Sequence, residues 1–187
     1  MNAAILVTGD NLQDIDKMAG EIATHQTAKN TGKLLIIGAS YLEDSKLCQF
    51  AETLEDCFEV VEINKVQVSE TAEKEKKVGT MISTFLMQKY TTVPGPWLMI
   101  DSYCEVVAPN PLTAIERAHR ANNKDNSGRA FVPREGCRVP VGPFVLGADS
   151  RKIRTLRSVS GEDWRQRGRY AFNICTWHQA SPDEYPF

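Results

Sequence analysis

Long apolar runs are missing from this 187-residue sequence, in which no stretch of 18 consecutive apolar residues predicts a membrane-spanning helix. The first ten residues, MNAAILVTGD, contain no basic region followed by an apolar core and a small-residue cleavage site. No secretion signal is therefore predicted, and a cytoplasmic location is expected. The glycine fingerprints GxGxxG and GxxxxGKS/T are also absent, which disfavours the dinucleotide-binding and P-loop classes of protein.

Paired cysteines are missing as well. The five cysteines are Cys48, Cys57, Cys104, Cys137 and Cys175, and none of them forms a CxxC pair. An odd number without paired spacing argues against a zinc knuckle and against a complete set of disulfides. We expect reduced thiols, most of them buried.

Arginine is absent from the first 110 residues. Residues 1–110 carry 9 lysines against 16 acidic residues, a balance of −7, whereas residues 111–187 carry 13 basic residues, 11 of them arginine, against 8 acidic ones, a balance of +5. Because the planar guanidinium group suits phosphate recognition, a phosphate-bearing ligand is expected to meet the second half. A solvated basic surface explains the asymmetry equally well.

What the sequence does contain is an alternation of apolar strands and amphipathic helices. This pattern is typical of an α/β domain, a mostly parallel sheet with helices on both faces, and the length suits one domain. The predicted strands are 3–9, 33–39, 58–63, 97–101, 129–133 and 139–149. The predicted helices run from Asn11 or Asp14 to near Asn30, then over 44–56, 69–90, 110–123 and 149–158, with a loop at 124–128.

Polar residues follow three of the predicted strands. Ligands of parallel α/β sheets bind beyond the carboxyl ends of the strands, so these residues are expected to line one nucleotide-binding cleft. Asp101 also has a simpler interpretation, since aspartate readily caps a turn. The residues are Thr8, Gly9, Asp10 and Asn11 after the first strand, Gly38 and Ser40 after the second, and Asp101, Ser102 and Tyr103 after the fourth.

Two linked segments, GPWLMIDSYCEVVAPNPLTAIERA and GPFVLGAD, resemble the middle of bacteriophage-type glycosyltransferases of the GT-A fold. The resemblance covers residues 95–152 in motif and the whole chain in element order. It implies a single GT-A-like domain, 1–187, in which residues 1–110 bind a sugar nucleotide and residues 111–187 form the basic acceptor side. It also implies a DxD-like motif that holds Mn²⁺ or Mg²⁺ against the diphosphate.

The chain departs from the family pattern at that motif. Asp101 occupies the first acidic position, but Tyr103 stands where the second carboxylate is expected. A magnesium or manganese ion can use one or two carboxylates together with substrate phosphates, so a further ligand would have to come from elsewhere. His178 resembles the late histidine that many GT-A enzymes contribute to the metal, although a lone histidine is also commonly incidental.

Glu162 and Asp163 resemble the segment that supplies the catalytic base in inverting GT-A enzymes. Such a base takes the proton from the acceptor hydroxyl as this attacks the anomeric carbon. The alternative is structural, because Ser160 followed by two acidic residues is also good helix-start chemistry.

Other charged and aromatic side chains admit two interpretations. Arg165, Arg167 and Arg169 either clamp a phosphate or are solvated. Trp164, Tyr170 and Trp177 either stack on a sugar or base or belong to the core. Lys74, Lys76 and Lys77 alternate with glutamates and predict a solvated helix face.

The resemblance implies a glycosyltransferase that moves a hexosyl or pentosyl group from a sugar nucleotide to a hydroxyl. The expected acceptor is a hydroxymethylated pyrimidine in phage DNA, bound through the basic half, with the host cytoplasm as the location and no membrane partner. Three alternatives stay open: a virion or host protein as the acceptor, an inactive GT-A-like scaffold or binding protein of a virus, and another nucleotide-binding α/β protein.

Overall fold

The structure is a computed structural model. It describes residues 1–73, 77–78, 80–81, 84–85, 93, 95–100, 105–124, 126–134, 137–147, 177–179, 181 and 184, with the backbone alone at 129–134, 137–143 and 177–179.

The described strands form one mixed sheet in the order β3-β2-β1-β4-β6-β5-β7. Neighbours are parallel except where β6 pairs with β4 and β5. The predicted α/β, mostly parallel fold is therefore confirmed. The strands are β1 (Asn2–Val7), β2 (Asn30–Ala39), β3 (Phe58–Val66), β4 (Trp97–Ile100), β5 (Asn126–Arg134), β6 (Cys137–Leu146) and β7 (Trp177–Gln179), and the labelled helices are α1 (Leu12–His25), α2 (Asp44–Leu54) and α3 (Pro111–Asn122).

The centre of the sheet is its most apolar part. β1 has a parallel partner on each side, and all four residues of β4 are buried. Such continuous apolar strands need cover on both faces. α1 buries Ile15, Met18, Ala19 and Ile22. In the connection between β3 and β4, buried Phe85 meets the Trp97 ring edge-on, with ring centroids 5.0 Å apart.

Two predicted helices are shorter in the structure. α1 ends at His25 instead of near Asn30, because the chain turns extended at Gln26 (ψ 93°). Residues 69–73 were predicted to be helical and are not. There the hydroxyls of Ser69 and Thr71 lie 3.0 Å apart and the Ala72 N–H donates to the Ser69 carbonyl, a local arrangement that competes with a helix.

The predicted loop at 124–128 is wrong, because β5 begins at Asn126. Asn126 and Ser127 are buried, since β5 lies between β6 and β7. The Ser127 hydroxyl lies 2.9 Å from His119 Nδ1 on α3. Pairing on both sides thus outweighs the turn-like composition of KDNSG.

α3 begins at Pro111 after Asn110, as predicted, but Asn110 does not cap its own helix. Its side-chain oxygen instead accepts the N–H groups of Thr27 and Ala28, at 3.0 and 3.2 Å. The Leu112 N–H donates to the Gln26 side-chain oxygen at 3.1 Å. We call these five residues the Asn110 hub; it fastens the α1–β2 turn to the start of α3 at the amino ends of the strands.

Two further expectations concern cysteine and membranes. Of the two cysteines whose side chains the structure describes, Cys57 is buried and Cys48 on α2 is exposed. In the described ranges, no helix combines the length and apolar character needed to span a bilayer.

Gly38 gives the first testable prediction. A Cβ at Gly38 would lie 2.4 Å from Leu47 Cδ1, whereas a Cβ at Gly20 on α1 would meet nothing within 4 Å. Gly38→Ala should lower the free energy of unfolding by about 1–3 kcal/mol through overpacking. The matched control, Gly20→Ala, should raise it by about 0.5–1 kcal/mol through helix propensity. Urea denaturation measures both, and equal effects would contradict the packing role of Gly38.

Candidate functional site

The candidate site lies where the strand order reverses. From β1 the chain adds β2 and β3 on one side, and β4 then pairs with the other side of β1. Val7 pairs with Gly38, and Ile5 pairs with Ile100, so the three strands run toward the same edge of the sheet. We call it the carboxyl edge. In open α/β sheets ligands bind at such a switch point.

The loop after β1 is closed by one side chain. Asn11 accepts the Thr8 N–H at 2.8 Å and donates to the Leu6 carbonyl at 2.9 Å. Both ends of its amide are thereby engaged, and the residue is buried. Asn11 was predicted to bind a nucleotide; in the structure its side chain holds the short 3₁₀ turn Gly9–Asn11 in place.

Thr8 is the N-cap residue of this 3₁₀ turn, but its side chain makes no cap hydrogen bond. The residue is fully buried, and its Oγ1 has no hydrogen-bond partner in the part of the chain that the structure describes. An unpaired buried hydroxyl costs free energy, roughly 1–3 kcal/mol, and calls for an explanation such as a bound ligand or water. Within the described ranges, it is a polar group without a partner that directly follows the central strand.

Asp10 was predicted to bind a nucleotide, but its contact with Lys77 and the nearby Tyr41 were not predicted. Lys77 Nζ lies 3.0 Å from Asp10 Oδ2 and 5.5 Å from the centroid of the Tyr41 ring. The Tyr41 hydroxyl accepts the Gly9 N–H at 3.0 Å. We call these four residues the Asp10 cluster.

The predicted solvated face is therefore wrong for Lys77, whose side chain is only 6% exposed, against 41% for Asp10. Lys74 and Lys76 lie outside the described residues. The hydrogen bond to Asp10 raises the pKa of Lys77 above its usual value and outweighs burial, which lowers the pKa. Lys77 thus keeps its charge at neutral pH.

The predicted site residues at the end of β2, Gly38 and Ser40, make contacts within the fold. Leu47 packs against Gly38 so closely that a side chain would not fit there. The Ser40 N–H donates to the Val66 carbonyl at 2.9 Å, and its hydroxyl accepts the Val68 N–H at 3.4 Å. Ser40 therefore ties the end of β2 to the end of β3. Tyr41, the next residue, was missed although the strand-end rule covers its position.

Several predicted site residues lie outside the described residues: Asp101, Ser102, Tyr103, Glu162 and Asp163, together with Arg165, Arg167, Arg169, Trp164 and Tyr170. His178 lies in β7, registered with Ser127. β7 is three strands from β4, about 14 Å at 4.7–4.9 Å per strand. A single ion held by Asp101 and His178 stays a prediction.

The positions of the described carboxylates show whether they could bind a divalent cation together. In those ranges no three His, Cys, Asp or Glu side chains form a group able to hold a metal. At the carboxyl edge, Asp10 is already paired with the Lys77 ammonium. The described residues alone therefore provide no complete protein site for Mn²⁺ or Mg²⁺.

The fold is similar to solved glycosyltransferases. TarS 1–349 from S. aureus matches with a TM-score of 0.60 and 11% identity over 98% of this chain and 61% of that chain. The mannosyltransferase PcManGT from Pyrobaculum calidifontis, solved with GDP-Man and Mn²⁺, gives 0.61 and 10% over 96% and 54%. The glycosyltransferase GlyE of Streptococcus pneumoniae TIGR4 gives 0.59 and 9% over 97% and 45%.

At these identities the likeness defines the fold, which is GT-A-like. The chain spans about half of the length of these proteins. No protein-family model matches the sequence, and no curated protein matches it.

The ion pair of the Asp10 cluster gives the second prediction. Lys77→Met should lower the free energy of unfolding by about 1–3 kcal/mol, between the values of exposed and buried pairs. The pKa of Lys77 is raised on folding, so this contribution is fully present below the pKa of an unfolded lysine, about 10.4. It is lost as the pH rises through the higher folded value.

Urea denaturation from pH 7 to pH 11 measures the gap between the wild type and Lys77→Met. We expect a constant gap up to about pH 10 that shrinks above it. Lys46→Met, which removes an exposed ammonium on α2, is the matched control and should give less than about 0.5 kcal/mol. A gap that widens with pH would contradict the pairing.

Proposed function

We propose that the protein transfers a glycosyl group from a sugar nucleotide to an acceptor hydroxyl. One observation carries the proposal: the switch point of a GT-A-like sheet bears polar residues at its carboxyl edge, among them the buried Thr8 hydroxyl, which has no hydrogen-bond partner among the described residues. Polar groups at this place are what a nucleotide needs for binding. The fold likeness supports the choice of sugar nucleotides among nucleotides.

The nucleotide site in this proposal has two parts. Thr8, Gly9 and Asp10 form the described part, in which the Asn11 amide fixes the loop. Asp101, Ser102 and Tyr103 follow β4, whose last described residue pairs with Ile5 of β1, and they complete the site. The carboxyl edge is shaped by Asn11, Gly38 and Ser40, and their role in the proposal is indirect. Their described contacts are all with other parts of the fold.

The reaction needs a base and a leaving group. The acceptor oxygen forms a bond to the anomeric carbon as the bond from that carbon to the diphosphate oxygen breaks, and the nucleoside diphosphate leaves with the electron pair. The acceptor proton passes to a carboxylate, for which Asp163 or Glu162 is proposed. A divalent cation at Asp101 is a separate proposal, and no step here depends on it.

The acceptor is proposed from charge alone. All 11 arginines lie in residues 111–187, and a hydroxymethylated pyrimidine in phage DNA would bring phosphates to that half. Of the described arginines, Arg117 and Arg120 are exposed on α3, but Arg120 is bonded to Glu116 at 2.6 Å. A protein acceptor is the competing proposal.

Sugar-nucleotide binding gives the third prediction. We expect at least one UDP- or GDP-sugar, tested with Mn²⁺ and with EDTA, to raise the melting temperature of the protein. The reason is that a ligand at 100 times its Kd stabilises the folded state by about 2.7 kcal/mol. Asp101→Asn should weaken binding and turnover together while changing the unfolding free energy by less than about 1 kcal/mol. Asp56→Asn, exposed and just before β3 at the opposite edge, is the matched control.

If Asp101→Asn binds and turns over the sugar nucleotide as the wild type does, Asp101 is not part of the site and only caps a turn. If no sugar nucleotide stabilises the protein or is consumed, the proposed activity is wrong and the inactive scaffold is favoured.

Acceptor binding gives the fourth prediction. If DNA is the acceptor, its affinity should fall by roughly 0.9 log units per phosphate contact for each tenfold rise in salt. Replacing Arg165, Arg167 and Arg169 by Gln should make this slope shallower, whereas Lys29→Gln and Lys46→Gln in the acidic half should leave it unchanged. Fluorescence anisotropy with duplex DNA measures the slope, and absence of binding at low salt would argue for a protein acceptor.

A further inference from the structure

We propose that the outer side of β3 pairs antiparallel with β3 of a second copy of this chain, giving a dimer with one continuous sheet. The inference is independent of the proposed function. β3 lies at one end of the sheet, and no other strand in the described ranges pairs along its outer side. The main-chain groups of such an edge are a template for a strand of another chain. β3 runs over nine residues without a proline, so nothing in the strand itself interrupts pairing.

The side chains of β3 alternate between the two faces of the sheet. Lys65 Nζ lies 2.8 Å from Asp44 on α2, which assigns Lys65 to the face that α2 covers. The odd-numbered residues of 59–65 therefore lie on the α2 face. The even-numbered ones lie on the other face, where Glu62 accepts a hydrogen bond from Lys33 of β2 at 2.6 Å.

Each face of this edge strand exposes one branched apolar side chain. Ile63 is 39% exposed on the α2 face, and Val60 is 44% exposed on the other. An added strand covers both side chains together, since it extends both faces of the sheet at once. A helix docked on one face would leave the other side chain in water.

Charge identifies the added strand as a second copy. In a symmetric dimer whose axis is perpendicular to the sheet, residues of one face meet residues of the same face. If Glu62 lies on that axis, Glu59 lies opposite Lys65 of the other copy. Val61 then lies opposite Ile63, and each of these contacts occurs twice. The order Glu-Val-Ile-Lys thus meets Lys-Ile-Val-Glu, and opposite charges and apolar pairs directly across an antiparallel ladder stabilise it.

The charged residues keep their present partners in this arrangement. The Lys65 ammonium has three hydrogens, and it bonds Asp44 and one main-chain carbonyl, so one hydrogen is left for Glu59. Glu59 is exposed and has no ion-pair partner within the described part of the chain. The two Glu62 carboxylates approach each other on the axis, but each is paired with its own Lys33.

Sedimentation velocity of the full chain tests the proposal. The wild type should form a species with twice the 20.9 kDa mass of one chain. Glu59→Lys turns both contacts with Lys65 from attraction to repulsion and should weaken dimerisation by about tenfold or more. Glu52→Lys makes the same charge change at an exposed position of α2 and should keep the wild-type dissociation constant. A wild type that is monomeric at every concentration, or Glu59→Lys that dimerises as tightly as the wild type, overturns the proposal.

A mixture of two variants tests the pairing of charges. Lys65→Glu places two carboxylates opposite each other, so neither this variant nor Glu59→Lys should pair with itself. An equimolar mixture of the two brings a lysine opposite a glutamate at both places and should form a heterodimer within about threefold of the wild-type affinity. Two folded variants that form no heterodimer contradict the proposal.

Cross-linking tests the register without Lys65→Glu. In a Cys48→Ser background, which removes an exposed thiol, Glu62→Cys places two thiols opposite each other at a Cα separation of about 4.5–5.5 Å, which suits a disulfide. Asn64→Cys is the matched control, because residue 64 lies opposite residue 60, which puts its two thiols about 14 Å apart. Mild oxidation should link Glu62→Cys into a dimer on a non-reducing gel and leave Asn64→Cys unlinked. Equal linking of the two variants, or linking of neither, would show the proposed pairing to be wrong.

Discussion

The central strand β1 sets the constraint on which the carboxyl edge depends. It is paired along both sides, and four of its six residues are buried, so its backbone groups must find hydrogen bonds wherever the sheet stops providing them. At the end of the strand the Asn11 side chain supplies these hydrogen bonds, since it donates to the Leu6 carbonyl and accepts from the Thr8 N–H. The polar loop of the candidate site is therefore a direct continuation of the core.

The sequence predicted the parts of the fold that depend on local periodicity. The apolar runs that became β1, β2 and β4 are continuous because both sheet faces are covered, and α3 was placed within one residue by Asn110 and Pro111. The predictions failed where contacts with residues far away in the sequence determine the secondary structure. Asn126 and Ser127 look like turn residues, yet two neighbouring strands make them part of β5. The end of α1 was missed because Gln26 turns toward α3, 86 residues away.

Topology predicted which strand ends lie side by side better than it predicted what each side chain contacts. The strand-end rule selected Asn11 and Gly38, but one closes a loop and the other admits Leu47. The same rule selected Asp10 without any hint of its partner. Lys77 lies 67 residues later in the sequence, in a segment of alternating positive and negative residues. The pattern of such a segment is the same whether the lysine is buried or exposed to solvent. Only the tertiary structure distinguishes the two.

The Asn110 hub has a consequence for the order of folding. Its hydrogen bonds join residues 82 to 86 positions apart, whereas β1, α1, β2, α2 and β3 follow one another along the chain. Loop closure costs entropy that grows with length, and a nascent chain emerges from its amino end. We expect the first three strands to assemble before α3 docks. Until then, water must satisfy the amide groups of Thr27 and Ala28, and docking of α3 releases that water.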